Sequence, residues 1–359
     1  MSTSRLISFE LAYPTLSAFD CVIDVRSPDE FAEDHIPGAI NCPVLDNEER
    51  ITVGTMYKQV SPFEAKKIGA ALVAKNIGNH IEQLFLDKPK EWKPLIYCWR
   101  GGNRSGSMTH ILAKIGWHAI QLDGGYKAFR RFVNQQLPEL SAQAKWVVLC
   151  GETGTGKSRL LQQLRLQGAQ VIDLEELAHH RGSVLGKLPD NRQPSQKSFE
   201  TAIWQHLSHF DFRRPIYVEA ESKKVGNLRV PDAMMEKMRQ SSCIQLQLSL
   251  TNRITLLSDD YRHFIDDTAL LSEQLACLTD LHGKEQIHTW SELAKNKQSN
   301  ELIEQLLQKH YDPAYQKAIA RNFALISQAK SYAIDNITDN SYQALAKQII
   351  QDEQLEQSH

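Results

Sequence analysis

The sequence predicts an α/β protein of two domains, the second built on a parallel sheet and followed by a helical lobe. Three observations predict it. An apolar strand at 94–97 runs into a glycine turn and then a helix, and a second strand at 146–150 does the same. Further apolar runs in the second half are spaced for helical crossovers, the pattern of a parallel sheet with helices on both faces. From Leu256 onward the chain is polar and helical in pattern, with amphipathic patches such as Leu302, Ile303, Leu306 and Leu307. The predicted domains are 1–140, 141–255 and a helical C-terminal lobe at 256–359. The first boundary rests on the polar, proline-containing stretch 134–143.

Composition narrows the function classes. A chain of 359 residues with 42% apolar content is an ordinary globular protein of about two domains. The formal net charge of −2 provides no global field for nucleic acid. Contact with RNA must come from local basic clusters, and the candidates are Lys127, Arg130 and Arg131, and Lys223, Lys224 and Arg229. The N-terminus lacks the apolar core of a signal peptide, and no apolar run reaches membrane-spanning length. The expectation is a cytoplasmic protein with no membrane partner. The six cysteines form no C-x2-C pair and have no zinc-ligand spacing with histidine. They are read as thiols, mostly small buried hydrophobes such as Cys150.

In the first half, 20–25 is a short buried strand. Ser27 is the N-cap of the next helix and Pro28 its first residue. The stretch 35–41 turns into another strand. The strand 94–97 ends at Cys98-Trp99-Arg100-Gly101-Gly102-Asn103-Arg104-Ser105, and Ser105 opens a helix with Met108, Ile111, Leu112 and Ile115 on one face. Gly116 ends it. Cys98 therefore sits at a strand-to-helix turn among glycines and arginines. Amide N–H groups and a helix N-terminus favour a thiolate, so Cys98 is the candidate nucleophile and the loop an anion cradle. The segment 126–132 reads as an amphipathic helix with Phe129 and Phe132 in the core and its arginines in water.

In the second half, strand 146–150 meets Gly151-Glu152-Thr153-Gly154-Thr155-Gly156-Lys157-Ser158 and then leucines at helical spacing. Strand, glycine loop and helix give G-x4-G-K-[ST] the context that makes it a specific phosphate-binding signal. Glycines let the backbone approach phosphate oxygens, and the first-turn N–H groups point at the charge. Lys157 adds a point charge, and the Ser158 hydroxyl is a ligand for Mg²⁺ if a metal is used. Strands at 170–173, 214–221 and 244–250 follow. Ligands bind at the carboxyl ends of such strands, which places Asp173, Glu219 and Glu221 by the loop. Each of these carboxylates also suits helix capping or pairing with an arginine. Arg181 and Ser183 lie in a basic loop within reach of a ligand, and Arg253 and Arg262 stand where kinase lids carry arginines. The two adjacent histidines, His179 and His180, do not make a metal site.

The first half resembles the rhodanese family over roughly 10–135. Asp24-Val25-Arg26 with Glu30-Phe31, and His35-Ile36-Pro37-Gly38-Ala39 with Asn41, match its fold signatures. Cys98 with Gly101, Arg104 and Ser105 matches its active loop. The resemblance implies a cysteine that carries sulfur or selenium. The spacing C-x5-R-S is one residue longer than usual and equals that of cysteine-dependent phosphatases, a size suited to a tetrahedral anion. Two chemistries stay open at this point: phosphate ester hydrolysis, or capture of a chalcogen from a phosphorylated donor.

A rhodanese-like domain followed by a P-loop NTPase-like domain, with Trp99 and Gly101-Gly102 in the loop, Asp173-Leu174-Glu175 and His180-Arg181-Gly182-Ser183, resembles the tRNA 2-selenouridine synthase family. The resemblance implies a transferase acting on tRNA with 2-thiouridine at the wobble position. It implies selenophosphate as selenium donor, with a supplier of it as a further partner, and geranyl diphosphate as the group that first alkylates the sulfur. It implies no tightly bound cofactor. The residues themselves leave open whether the phosphate loop takes geranyl diphosphate or ATP, as in an ATPase or kinase fused to a sulfur carrier. The only Walker-B-like run is 216–219, closed by Glu219 instead of Asp.

Overall fold

The computed structural model describes residues 5–182 and 192–356. Its contacts divide the chain into two units, Met1–Leu137 and Pro138–His359. The division falls inside one helix, Gly125–Gln143, which takes in the whole stretch 134–143.

The first unit holds an all-parallel sheet of β1 (Arg5–Ile7), β2 (Cys21–Asp24), β3 (Ile40–Asn41), β4 (Pro94–Tyr97) and β5 (Ile120–Leu122), in the order β1-β5-β4-β2-β3. Its central strands are nearly continuous apolar runs because helices cover both faces. Ile23, Ile96, Phe85, Trp92, Met108 and Leu112 form the core. Ser27 caps the Pro28–Glu33 helix, with its N–H donating to Glu30 Oε2 at 3.1 Å, and Pro28 occupies the first turn, where a missing N–H costs nothing. The Asn103–Ile115 helix ends on Gly116 at φ 116°, as its sequence predicts. One correction concerns the Gly125–Gln143 helix. Phe129 is in the core, but Arg130 is buried too, 3.6 Å from Asp34 and bonded to Asn134. A buried arginine is tolerated there because a carboxylate faces it.

The second unit carries β6 (Lys145–Cys150), β7 (Gln170–Ile172), β8 (Pro215–Glu219), a small hairpin β9 (Lys224–Val225) and β10 (Leu228–Arg229), β11 (Ser242–Leu248) and β12 (Lys330–Ile334). The main sheet has the order β12-β11-β6-β8-β7 and is parallel throughout. The strand β12 corrects the predicted lobe. Residues from 330 on return to the sheet, pairing Ile244–Leu248 with Lys330–Ile334. The Asp339–Glu356 helix then buries Tyr342, Leu345, Ala346 and Ile349 in one cluster with Leu160, Leu161 and Leu164 of the Lys157–Leu166 helix. Truncating one such leucine to alanine typically costs about 2–5 kcal/mol, so the chain's last helix is part of the domain core. The separate helical core lies between, around Phe264, Leu275, Trp290, Leu302 and Leu306. Among the described residues no helix is long and apolar enough to cross a membrane.

Candidate functional site

Two sites stand at the carboxyl ends of the two sheets, one in each unit. In the first, β4 delivers Cys98 and the chain turns through Gly101 and Gly102 at φ 71° and 75° into the Asn103–Ile115 helix. Gly102 is the helix N-cap, and no side chain caps the first turn. A Cβ on Gly102 would stand 2.6 Å from Gln121 Nε2, so both φ and space demand glycine. Gln121, on β5, donates to Gly102 O at 2.9 Å and to Ser105 Oγ at 3.0 Å. The Ser105 hydroxyl donates in turn to Cys98 Sγ at 3.3 Å. This relay holds a proton donor on the sulfur and fixes the loop's far end to the sheet.

Cys98 is only 1% exposed, so its sulfur lies beneath the loop. The physical reason is a second set of ties. The Tyr126 and Lys127 N–H groups donate to the carbonyls of Cys98 and Trp99 at 2.8 and 3.1 Å, drawing the start of the loop down. The Trp99 ring stacks on Tyr126, with centroids 5.3 Å apart. Arg100, Gly101 and Asn103 are exposed. Arg104 is held by Glu30 at 2.6 and 3.2 Å. Burial works to raise the Glu30 pKa, but the Arg104 hydrogen bond and charge outweigh it and keep the carboxyl below its usual range. Arg104 is therefore committed to Glu30 and would serve an anion only by exchanging that partner.

In the second unit, β6 runs into the glycine loop and the uncapped Lys157–Leu166 helix. The Gly156 N-cap has φ 78°, and a Cβ there would collide with the Tyr342 hydroxyl. The loop is thus braced from behind by the last helix of the chain. In front, the Gly151 N–H donates to the Tyr315 hydroxyl at 2.5 Å, and the Lys157 ammonium donates to Gly151 O at 2.8 Å. Thr155 Oγ1 donates to Glu152 O at 2.8 Å. First-turn N–H groups and Lys157 line a cavity of about 840 Å³. Its opposite wall is one face of the Asp312–Asn322 helix, with Tyr311, Ala314, Tyr315, Ala318, Ile319 and Phe323.

Two sequence expectations need correction here. Glu152, inside the phosphate motif, turns its carboxylate away to Arg253 at 2.7 Å and to Gln316 at 3.0 Å, because a carboxylate among phosphate oxygens would be repelled. Arg253 is no lid residue. It is 4% exposed, donates to Thr153 O at 2.8 Å, and pairs with Asp312 as well as Glu152. Arg262 is exposed and pairs with Asp259.

The carboxylates do gather at the strand ends. Asp173 N-caps the Leu174–Ala178 helix, donated to by the Glu176 N–H at 2.8 Å. Glu219 closes β8 and accepts the Glu175 N–H at 2.9 Å, while its Oε2 has no partner. Glu175 Oε2 accepts from Ser158 Oγ at 3.2 Å. Glu175 and Glu221 approach each other across Gly182, whose added Cβ would be 2.8 Å from an oxygen of each. Burial, then the neighbouring carboxylates, push Glu219 well above its ordinary range; burial and Glu175 push Glu221 up to about 8. Burial likewise raises Asp173 and Glu175, with Lys157 opposing it at Glu175. Crowded carboxylates with raised pKa values and an orphaned oxygen are what a divalent cation would relieve. Among the described residues no three or more His, Cys, Asp or Glu side chains are arranged as a metal cluster. If Mg²⁺ is used, Ser158 and one or two of these carboxylates would hold it, with phosphate oxygens and water completing its shell.

Arg181 lines the cavity, 3.4 Å from Asp260, which also faces Arg159 at 3.4 Å. Ser183 lies outside the described residues. Sequence reasoning missed Gln121, Tyr315 and Tyr342. No local motif marks them, since each reaches its loop from a distant element. Glu30 and Glu175 were visible as parts of motifs, but not as partners of Arg104 and Ser158.

Fold and site together define a cysteine-loop α/β domain followed by a phosphate-loop α/β domain. The sequence model of the rhodanese-like domain matches residues 13–132, and that of the tRNA 2-selenouridine synthase AAA domain matches residues 144–276. The tRNA 2-selenouridine synthase of Alcanivorax borkumensis is 33% identical over 337 residues, covering 85% of this chain and 91% of that protein. That of Sulfurovum sp. is 32% identical, covering 85% and 90%. With the enzyme of Nitrosomonas europaea, 35% identical, the match covers 67% of this chain and 63% of the relative's length. The chain belongs to the tRNA 2-selenouridine synthase family.

Proposed function

We propose that this protein is a transferase that replaces the sulfur of 2-thiouridine at the tRNA wobble position with selenium from selenophosphate, after alkylating that sulfur with geranyl diphosphate. One observation carries the geranyl step. The phosphate loop shares its cavity with an apolar helix face on which Ala314 and Ala318 are exposed beside Tyr315 and Ile319. An anion cradle opposite an open apolar wall suits a ligand with a diphosphate head and a hydrocarbon chain. In geranyl transfer the sulfur takes the C1 carbon, the C1–O bond breaks, diphosphate leaves and the uracil N3 proton is lost. Lys157 and the loop amides stabilise the departing charge. The Ser158 hydroxyl, Glu175 and Glu221 would hold Mg²⁺ against the same diphosphate. The selenium of selenophosphate then bonds to C2, the C2–S bond breaks and the sulfur leaves with a proton as geranyl thiol; water takes the phosphoryl group as the P–Se bond breaks, and phosphate is released. The Cys98 loop, sized for a tetrahedral anion, serves selenophosphate, and Cys98 handles its selenium.

Nucleoside chromatography of four enzyme and substrate combinations tests this. Lys157→Ala loses a charge-assisted contact worth about 1.5–3 kcal/mol, roughly ten- to a hundredfold in rate. It should leave 2-thiouridine tRNA unchanged, yet convert tRNA already carrying S-geranyl-2-thiouridine. Cys98→Ser should accumulate the geranylated nucleoside and stop there. Intact geranylation by Lys157→Ala would turn the assignment of the loop toward a nucleotide.

A further inference from the structure

The wall of the phosphate cavity carries a second cationic feature, separate from the glycine loop. Arg159 Nη2 and Arg181 Nη1 each stand 3.4 Å from a different oxygen of the Asp260 carboxylate. All three side chains line the cavity and are partly exposed. The Arg181 guanidinium also lies over the Tyr261 ring, 5.2 Å from its centroid, which helps to hold it in place. Arg159 is two residues beyond Lys157 in the Lys157–Leu166 helix, so the two side chains leave the axis about 200° apart and point to different parts of the cavity. The charges are unevenly matched. Arg165, on the same wall, meets Glu176 at 2.7 Å. Arg159 and Arg181 share one carboxylate at longer range, which leaves a positive charge over. Glu175, raised by burial, is answered first by Lys157 and only last by Arg181, so Arg181 is not its main counter-charge.

We propose that Arg159 and Arg181 form a second anion subsite, which takes a backbone phosphate of the tRNA next to the nucleotide being modified. The proposal rests on the reading of this cavity as the place where the 2-thiouridine sulfur meets the diphosphate ester. For that reaction the sulfur must come within about 3–3.5 Å of the ester carbon. A nucleotide that enters so far brings its own backbone phosphate, and the carboxylates Asp173, Glu175 and Glu221 on the cavity wall oppose it. The surplus charge of the arginine pair offsets that opposition. Asp260 occupies the position between the two guanidinium groups that a phosphate would take, and its exposure lets it yield to one. Planar guanidinium forks match phosphate oxygens in a way that ammonium groups do not.

Binding to the full-length protein decides it. The probes are inorganic diphosphate and an anticodon stem-loop RNA with 2-thiouridine at the wobble position, made either with native phosphates or with uncharged methylphosphonate linkages on both sides of that nucleotide. Arg159→Gln and Arg181→Gln should each weaken the native RNA about tenfold, the lower end for a charge-assisted contact. Each should lower the salt slope by about 0.7. Neither should change the affinity for inorganic diphosphate. The wild type should lose affinity for the methylphosphonate RNA, and the arginine variants should lose nothing further on it. Asp260→Asn, which releases both arginines, should tighten the native RNA, whereas a merely structural ion pair would make that variant bind no better. Thermal melting shows that each variant is folded. If the wild type binds neither form of the RNA, the tRNA reading fails and the proposal with it. If the wild type binds the RNA but the arginine variants and the methylphosphonates leave its affinity unchanged, the subsite alone is overturned. If the arginine variants weaken inorganic diphosphate and spare the RNA, the pair serves the diphosphate and the assignment to tRNA is wrong.

Discussion

The buried Arg253 guanidinium donates to the Glu152 carboxylate at 2.7 Å, which fixes the second residue of the phosphate loop to the start of the helical region. The same guanidinium donates to Thr153 O and pairs with Asp312. One side chain thus sets the loop's conformation and ties it to the helix that forms the opposite wall of the cavity.

Arg253→Met should lower the stability of the second unit by about 1–3 kcal/mol, because Thr153 O, Glu152 and Asp312 lose a charged donor while both carboxylates keep some access to water. Calorimetric unfolding checks it. Arg253→Lys should rescue only part, because an ammonium lacks the planar fork that serves Thr153, Glu152 and Asp312 together. Full rescue by lysine would mean that charge alone matters there.

The Ser105 relay predicts the reactivity of Cys98. Ser105→Ala removes the hydroxyl bond to Sγ, a net contribution of about 0.5–1.5 kcal/mol, and should slow alkylation of Cys98 by iodoacetamide about two- to tenfold. Gln121→Leu should act in the same direction through the lost bond to Ser105. An unchanged rate in both variants would show that the hydroxyl does not serve the sulfur.

Glu221 predicts a pH effect with a definite sign. Its folded pKa, about 8, lies above the ordinary glutamate value, so the folded state holds a proton that the unfolded state has released. Stability from this group therefore falls as pH rises between the ordinary value and about 8, and is level beyond. Cation binding displaces that proton, so Mg²⁺ affinity should climb with pH up to about 8. Glu221→Gln should flatten both profiles, measured by thermal melting and by titration with Mg²⁺ in the presence of diphosphate.

The basic clusters separate by burial. Lys127, Arg131, Lys223, Lys224 and Arg229 are exposed. Changing one that contacts a tRNA phosphate should weaken binding and reduce the salt slope by about one. Arg130→Ala should leave the slope unchanged and lower the melting temperature, because Arg130 faces Asp34 in the interior. Filter binding across a salt series distinguishes the two outcomes.

Both loops were legible in the sequence because each anion cradle is made of consecutive residues. The chain from β6 to Ser158 carries its own glycines, amides and lysine, and the chain from β4 to Ser105 carries its own sulfur, glycines and arginine. Strand, turn and helix are local events, and the residue types that allow positive φ or donate to phosphate show themselves without the fold.

The partners of those loops were decided only by the tertiary structure. Gln121 reaches Ser105 because β5 lies beside β4, and Glu30 reaches Arg104 from a helix that follows β2. Tyr315 meets Gly151, and Tyr342 stands behind Gly156, from elements that the polar pattern after Leu256 did not distinguish. That pattern also hid β12, whose five residues are half exposed on an edge and show no continuous apolar run. Arg253 and Arg130 have the composition of surface residues and the environment of core residues. A charged side chain becomes interior only where the fold brings an opposite charge to it, and that meeting is not written in either stretch alone.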